Sequence, residues 1–237
     1  MPNPYFKFKH FTVYHDQCAM KVGTDGVLLG AWADVQTARC ILDVGTGTGL
    51  IALMLAQRSE ASIHAVDVDT DAVEQARENV KNSPWADRID VRLQDIKSFP
   101  AVCEKQFDLI VSNPPYFTEA VRCPESRRNA ARHTDDLSFP DLLHSVSALL
   151  ADEGAFSVIL PAEAAPDFIA QAIRVGLYLN RQVWVHTKPE AVPKRVLMTF
   201  KKCNSCVVQA EHLTIEIERH VYSPEFSTLV KDYYLFL

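Results

Sequence analysis

The sequence lacks any apolar run that is long enough to cross a membrane. The apolar stretch 50–56 is far shorter than the roughly 20 residues that a membrane-spanning helix needs. The first residues mix aromatic side chains with Lys7, Lys9 and Asp16, so they do not form the apolar core of a signal peptide. We therefore expect a cytoplasmic protein that does not contact a membrane.

A disulfide framework and a cluster of metal ligands are also missing. The six cysteines are scattered through 237 residues, which favours reduced thiols. Cys203 and Cys206 form a single CxxC pair, without a second pair or a nearby histidine at the spacing of a zinc site. We therefore predict that the protein holds no metal ion.

No internal repeat, low-complexity tract or linker divides the sequence. A chain of 237 residues, of which 48% are hydrophobic, can bury a substantial core as one unit. We expect residues 1–237 to form a single domain.

The protein has no excess of positive charge. Its formal net charge of -6 weighs against a broad nucleic-acid-binding surface. Basic residues are nevertheless concentrated in two segments, which could form a rim around a site for a polyanion. The first contains Arg122, Arg127, Arg128, Arg132 and His133, and the second contains Lys188, Lys194, Arg195, Lys201 and Lys202. An ordinary solvated surface explains both segments equally well, so the charge pattern leaves two interpretations open.

Apolar runs and helical periodicity alternate along the chain in the way that builds a parallel sheet covered on both faces. Strands are predicted at 40–44, 62–67, 89–93, 107–112, 155–160, 177–186 and 195–200. Helices are predicted at 49–58, 70–82, 139–150 and 162–175, the last of them stopping at Gly176. The predicted fold class is α/β, with a doubly wound, mostly parallel seven-stranded sheet, a C-terminal antiparallel hairpin and helices on both faces.

Gly45, Gly47 and Gly49 form a glycine-rich loop between the strand 40–44 and the helix that follows it. Glycines let the backbone turn sharply and come close to a ligand, and a helix N-terminus directs free N–H groups at anionic groups. Asp67 lies 22 residues beyond Gly45, at the end of the next strand, where it can accept hydrogen bonds from both ribose hydroxyls. The pattern indicates a nucleotide-cofactor site, and NAD enzymes share it.

The segment 113–116, Asn-Pro-Pro-Tyr, directly follows an apolar strand. The Asn113 side-chain oxygen and the Pro114 carbonyl can accept the two hydrogens of a planar NH2 group, which turns the nitrogen lone pair toward an electrophile. Proline fixes the backbone and holds the residue before it extended. Tyr116 and Phe117 offer aromatic faces on which a base can stack. A strand-terminating turn is the alternative interpretation.

The order of these features separates two classes of nucleotide-binding enzyme. Asp43 leads the glycine-rich loop, and Asp95 follows the strand 89–93, where its carboxylate can accept a hydrogen bond from an adenine amino group. This order, which ends in Asn-Pro-Pro-Tyr, resembles the S-adenosylmethionine-dependent methyltransferases of the Rossmann-like class and differs from dehydrogenases. The resemblance implies S-adenosylmethionine as the cofactor and methylation of an amino group beside Asn113.

Residues 8–32 are similar to the signature of the bacterial tRNA1(Val) adenine-37 N6-methyltransferases. The similarity continues at 83–86, 113–116 and 233–237, and it therefore spans nearly the whole chain. The resemblance implies the class I methyltransferase fold and methylation of the N6 amino group of an adenine in a tRNA anticodon loop, adenine 37 of tRNA1(Val). It implies tRNA as the partner, and we expect no stable protein partner.

The resemblance also implies that residues 1–38 cover the cofactor and that Thr24 contacts it. A purely structural interpretation is that Thr24 or Asp25 is the N-cap of a helix at 27–32. The expected catalytic residues are Asn113, Pro114 and Tyr116. The expected cofactor-binding residues are Thr24, Asp43, Gly45, Gly47, Gly49, Asp67, Asp95 and Asn113. The expected substrate-binding residues are Tyr116, Phe117, Arg127, Arg128 and Arg132.

Two other classes of function stay open from the residues alone. One is an N-methyltransferase for another planar amine or amide, such as an rRNA guanine, a DNA adenine or a release-factor glutamine. About forty residues precede the first sheet strand, too few for the extra helical domain of the glutamine enzymes. An unpaired adenine also turns out more easily than one in duplex DNA. The other class is a non-catalytic RNA-binding module, which would not need Asn113.

Overall fold

The computed structural model describes residues 3–18, 21–115, 137–203, 208 and 210–236. The strands of these residues are β1 (Tyr5–Lys7), β2 (Thr12–Tyr14), β3 (Cys40–Val44), β4 (Ser62–Asp67), β5 (Ile89–Leu93), β6 (Phe107–Ser112), β7 (Leu150–Pro161), β8 (Tyr178–His186), β9 (Arg195–Lys201), β10 (Ala210–Thr214), β11 (Glu216–Glu218) and β12 (Val221–Tyr222). The α-helices are α1 (Thr24–Trp32), α2 (Leu50–Arg58), α3 (Thr70–Lys81), α4 (Phe139–Leu149), α5 (Ala165–Arg174) and α6 (Pro224–Val230). Within the described part of the chain, every helix is too short or too polar to cross a bilayer.

Eight of these strands form one sheet, in the order β10-β8-β9-β7-β6-β3-β4-β5. The five strands from β5 to β7 are parallel to one another, and β9 lies antiparallel between β7 and β8. The predicted α/β class, with its mostly parallel sheet and antiparallel hairpin, is confirmed. The eighth strand, β10, was not predicted. It pairs at the edge of the sheet and Leu213 is its one buried residue, so its sequence carries no apolar run.

The side chains of the sheet alternate between two apolar layers, as the two-residue period of a strand requires. Ile41 packs in the layer that contains α1, α2, α3 and α6, whereas its neighbour Leu42 packs with α4 and α5 on the opposite face. Helices therefore cover both faces of the sheet. Phe107, Phe156 and Phe168 are fully buried in the second layer, and burial of each such side chain stabilises the fold by about 2 kcal/mol.

The N-terminal hairpin of β1 and β2 packs against the last residues of the chain. The backbone N–H of Lys9 donates to the carbonyl of Tyr233 at 2.9 Å, and the ring of Phe8 lies 6.2 Å from that of Tyr234. The buried hydroxyl of Tyr233 donates to the carbonyl of Met54 in α2 at 3.0 Å. Both ends of the chain are thereby fixed to the same face of the sheet.

The start of α1 differs from the prediction. The helix begins at Thr24, its N-cap is Gly23, and the cap makes no side-chain hydrogen bond. The prediction that Thr24 or Asp25 caps this helix is therefore wrong. The Asp25 carboxylate instead accepts a hydrogen bond of 2.7 Å from Nε of Arg195, 170 residues away in sequence, and such a distant partner leaves no local signal.

Candidate active site

The carboxyl ends of β3, β4, β5 and β6 meet at one edge of the sheet, which we call the carboxyl edge. Val44 is paired with Val66 on one side and with Ser112 on the other. The residues that directly follow these three positions are Gly45, Asp67 and Asn113. Parallel pairing therefore brings the glycine-rich loop, the acidic residue and the Asn-Pro-Pro segment together, as the sequence predicted.

The glycine-rich loop turns in the left-handed backbone region, with φ of 70° at Gly45, 55° at Gly47 and 79° at Gly49. Side chains strain this conformation, which explains the glycines. The N–H groups of Gly45 and Thr46 donate to the Val66 carbonyl at 2.9 and 3.1 Å and hold the loop against β4. A Cβ atom at Gly45 or Gly47 would meet no heavy atom within 4 Å, so the loop backbone faces open space that a ligand can enter.

Asp67 braces this loop from the end of β4. Its Oδ2 accepts a hydrogen bond of 2.8 Å from the N–H of Gly47, and its Oδ1 accepts one of 3.0 Å from the N–H of Asp69. Each carboxylate oxygen can accept more than one hydrogen bond, so the half-buried side chain retains capacity for ribose hydroxyls.

Asp43 lies below the loop and is fully buried, with 0% of its surface exposed. The hydroxyl of Thr46 donates to its Oδ2 at 2.7 Å. Burial raises the pKa of the Asp43 carboxyl from 3.8 to about 7, although the hydrogen bond from Thr46 opposes the shift. The described contacts of Asp43 support the loop from inside the protein.

Asp95 lies at the same edge, beyond β5. The N–H of the preceding Gln94 donates to the Asp67 carbonyl at 2.8 Å, which fixes the turn that carries Asp95 beside the end of β4. Its Oδ1 accepts a hydrogen bond of 2.9 Å from the N–H of Lys97, its Oδ2 lies 3.8 Å from Nζ of the same lysine, and 37% of its side chain is exposed. The carboxylate is therefore available to a ligand that occupies the space above the loop.

The end of β6 is fixed to β3 by Ser112. This fully buried side chain donates from Oγ to the Val44 carbonyl at 3.0 Å. Asn113 follows with a partly buried side chain, Pro114 is buried and Pro115 is exposed. The residues expected to bind the substrate lie outside the described part of the chain. They are Tyr116, which is also an expected catalytic residue, Phe117, Arg127, Arg128 and Arg132.

Thr24 lies at the exposed start of α1, on the wall of a cavity of about 290 Å³. Lys194 and Arg195, which lie at the start of β9, line the same cavity. The start of α1 thus lies beside the connection between β8 and β9.

Two buried side-chain amides of α3, which the sequence analysis missed, hold the N-terminal segment, the residues that precede α1. The Asn79 side chain accepts from the N–H of Tyr14 and donates to its carbonyl, both at 2.9 Å, and it also donates to the Thr48 carbonyl at 2.9 Å. The Gln75 side chain accepts from the N–H of Gln17 at 3.2 Å. Both amides lie on the apolar face of a predicted amphipathic helix, a position that could have signalled their role.

The second basic segment does not form one rim. Arg195 pairs with Pro161 at the carboxyl edge, whereas Lys201 pairs with Tyr178 at the opposite end of the antiparallel β9. Six residues of strand separate the two by about 20 Å. For Lys201 and Lys202 this position favours the second interpretation, an ordinary solvated surface at the far end of β9.

The described residues contain no group of three or more His, Cys, Asp or Glu side chains arranged to hold a metal ion. Cys203 is exposed, and Cys206 lies outside the described part of the chain.

Comparison with known proteins gives a family match, close relatives and similar structures. The Methyltransferase small domain family matches residues 19–130. Over 236 residues, 99% of both chains, the sequence is 61% identical to the tRNA1(Val) (adenine(37)-N6)-methyltransferase of Phocaeicola vulgatus. A structure described as a predicted O-methyltransferase from Agrobacterium tumefaciens superposes with a TM-score of 0.70 at 22% identity, covering 88% of this chain and 96% of that one. A glycopeptide N-methyltransferase complexed with S-adenosylmethionine superposes with a TM-score of 0.56 at 15% identity, covering 76% and 99%. At these identities the two structures show that this chain shares their fold, and they show nothing about its substrate.

Proposed function

Because the chain belongs to the tRNA1(Val) (adenine(37)-N6)-methyltransferase family, we propose that it transfers a methyl group from S-adenosylmethionine to N6 of adenine 37 in tRNA1(Val). The observation that supports this most directly is the position of Asn113. It follows β6 next to the glycine-rich loop that follows β3, so an acceptor for an amino group lies beside a nucleotide-cofactor site.

The residues at the carboxyl edge fit S-adenosylmethionine. The backbone of Gly45 and Gly47 is open to the solvent side, so a ligand can approach it closely. Asp67 offers carboxylate oxygens to the ribose, and Asp95 offers an acceptor to the adenine amino group. When bound, S-adenosylmethionine supplies the electrophilic methyl group.

Asn113 and Pro114 hold and polarise the target amine in this proposal. The Asn113 side-chain oxygen and the Pro114 carbonyl accept the two N6 hydrogens, which directs the nitrogen lone pair at the methyl carbon. The fixed strand end keeps these acceptors in place before the substrate arrives, and such positioning removes much of the entropic barrier to the reaction. The alkylated nitrogen carries an acidic proton that leaves to water, so no strong general base is needed.

The proposed substrate site continues beyond Pro115. Tyr116 and Phe117 stack on the target base, and Arg127, Arg128 and Arg132 contact the phosphates on either side of it. An anticodon loop suits this arrangement because its adenine is unpaired and turns out at little cost.

We also propose that residues 1–237 work as one methyltransferase domain in which 1–38 cover the cofactor. The hydrogen bonds from Asn79 support this, since they join Tyr14 to the loop residue Thr48. The enzyme works in the cytoplasm, where bacterial tRNA is found.

A direct test is a transfer assay with purified protein, radiolabelled S-adenosylmethionine and a transcript of tRNA1(Val). We expect one methyl group per transcript, recovered as N6-methyladenosine after nuclease digestion. A transcript in which guanine replaces adenine 37 should receive none. Equal incorporation into both transcripts would contradict the proposed target.

A further inference from the structure

The cavity of about 290 Å³ beside Thr24 lies at the carboxyl edge but is separate from the glycine-rich loop. It lies where β9 begins and β8 ends, and Leu28 of α1 and Phe226 of α6 are among the residues that line it. The N–H of Ala162 donates to the Lys194 carbonyl at 3.1 Å, which ties the cavity to the end of β7. β7 is in turn the neighbour of β6, which ends at Ser112, directly before Asn113.

The cavity is close to the reacting amine. In the sheet, β6 and β9 are separated only by β7, and the cavity extends from the start of β9 past β8 to the end of β10, so two to four interstrand spacings place its walls about 10–20 Å from Asn113 along the edge. That distance is within reach of the nucleotides that flank the target adenine in a single strand. Its volume is near the lower limit of about 300 Å³ for small-molecule sites, a size that suits one nucleotide.

The lining combines an aromatic wall with an exposed cation. The partly buried ring of Tyr222 lies 4.9 Å from that of Phe226 and 6.4 Å from that of Tyr234. The positive charge of Arg195 is balanced by the Asp25 carboxylate, whose Oδ2 lies 2.7 Å from Nε of Arg195. Lys194 is exposed and takes part in none of the ion pairs among the described residues. The half-buried Glu216 also lines the cavity and can accept from a base amino group.

We propose that this cavity binds a nucleotide of the substrate RNA that flanks the target adenine, with its base against Tyr222 and its phosphate on Lys194. The inference rests on the proposed function and adds a second contact point to it. An aromatic ring binds any base by stacking, and a lysine at the mouth contacts the backbone phosphate. The cavity would thereby hold the RNA strand in place while Asn113 holds the amine.

The test combines protein variants with altered RNA in a double-mutant cycle. The RNA is the anticodon stem-loop of tRNA1(Val), intact or with an abasic nucleotide placed at one of the two positions on either side of the target. With the wild-type protein, removal of the bound base should raise KM roughly tenfold, as expected for loss of one stacked base. Tyr222→Leu should raise KM for the intact RNA by a similar factor, and the abasic change should then add nothing.

Three controls separate this role from a structural one. Tyr222→Phe keeps the ring and should keep the wild-type KM. Lys194→Ala should reduce the dependence of log KM on log salt by about one unit, whereas Lys81→Ala at the far end of α3 should not. Binding of S-adenosylmethionine should stay unchanged in all variants, which also shows that each has folded.

Additive effects of the abasic changes and of Tyr222→Leu, together with an unchanged salt dependence in Lys194→Ala, would overturn the proposal. That outcome would leave the methylation of adenine 37 by the wild-type protein intact. Absence of methylation with any RNA would refute the proposed function itself, and the proposal would fall with it.

Discussion

Asn113 and Asp43 lie at the ends of adjacent strands, yet their environments differ. Ser112 anchors the backbone before Asn113, whose side chain stays partly exposed and can meet a substrate. Asp43 is sealed under the glycine-rich loop and bonded to Thr46. We therefore expect substitution of Asn113 to change catalysis and substitution of Asp43 to change stability.

Asn113→Ala should lower the rate of methyl transfer by about a hundredfold or more, because it removes an oriented acceptor at the reacting nitrogen. The affinity for S-adenosylmethionine, measured by calorimetric titration, should stay nearly the same. Asn82→Ala, at the distant end of α3, is the matched control and should retain wild-type activity. Near-wild-type turnover in Asn113→Ala would refute the role assigned to this residue.

The stability of the protein should depend on pH through Asp43. The carboxyl keeps its proton up to a pKa of about 7 in the folded protein and loses it near 3.8 when unfolded. The folded state thus binds the extra proton, and the free energy of unfolding falls as the pH rises from about 4 to about 7. The fall is at most about 4 kcal/mol, at about 1.4 kcal/mol per pKa unit.

Urea unfolding at a series of pH values checks this prediction. Asp43→Asn cannot titrate and should lack this part of the pH dependence, so its stability should improve relative to wild type as the pH rises through that window. Parallel pH profiles of the two proteins would show that the Asp43 carboxyl is already ionised at low pH.

At the scale of elements, α3 joins the N-terminal segment to the glycine-rich loop. Asn79 makes three hydrogen bonds in this junction, and Gln75 makes one. All four hydrogen bonds are made to backbone groups of Tyr14, Gln17 and Thr48. The two side chains of α3 therefore connect the N-terminal residues to the glycine-rich loop.

Asn79→Leu should reduce the free energy of unfolding by about 2–4 kcal/mol, because it leaves buried backbone groups without partners. It should also weaken binding of S-adenosylmethionine, since the Thr48 carbonyl belongs to the glycine-rich loop. Gln75→Leu removes one bond and should cause a smaller change in both. Denaturation and calorimetric titration of both variants provide the measurement, and unchanged cofactor affinity in Asn79→Leu would contradict the link.

The sequence predicted some elements to the residue and missed others, for physical reasons. The strands β3, β4 and β6 match their predicted bounds because central parallel strands are largely buried on both faces and end at glycine, aspartate or asparagine, and the edge strand β5 matches its predicted bounds as well. The convergence of Asp67 and Asn113 follows from the same parallel order. The contact of Asn79 with Tyr14 spans 65 residues and has no local signal, and neither does the pairing of the edge strand β10.

At the scale of the whole molecule, a net charge of -6 must be reconciled with a polyanionic substrate. The structure places Lys194 at the carboxyl edge and Lys201 about 20 Å away at the other end of β9. We therefore expect the attraction of RNA to depend on local positive charge at one edge of the sheet.

Neutralising Arg127, Arg128 and Arg132 together should raise KM for tRNA and flatten its dependence on salt, by about one unit of slope for each phosphate that an arginine no longer neutralises. These arginines follow Asn-Pro-Pro-Tyr closely in sequence, so they can reach phosphates beside an inserted adenine. The affinity for S-adenosylmethionine should not change, and Lys201→Ala should leave KM unaltered. Steady-state kinetics at several salt concentrations test this, and an unchanged slope in the triple variant would make this segment an ordinary solvated surface.

The most direct test of the central claim is the mapping of N6-methyladenosine in total tRNA from cells with and without this protein. We predict that the modification disappears from position 37 of tRNA1(Val) in cells that lack the protein. It should return with a plasmid copy of the wild-type gene and stay absent with Asn113→Ala. Retention of the methyl group at position 37 without the protein, or its loss from another nucleotide instead, would contradict the account.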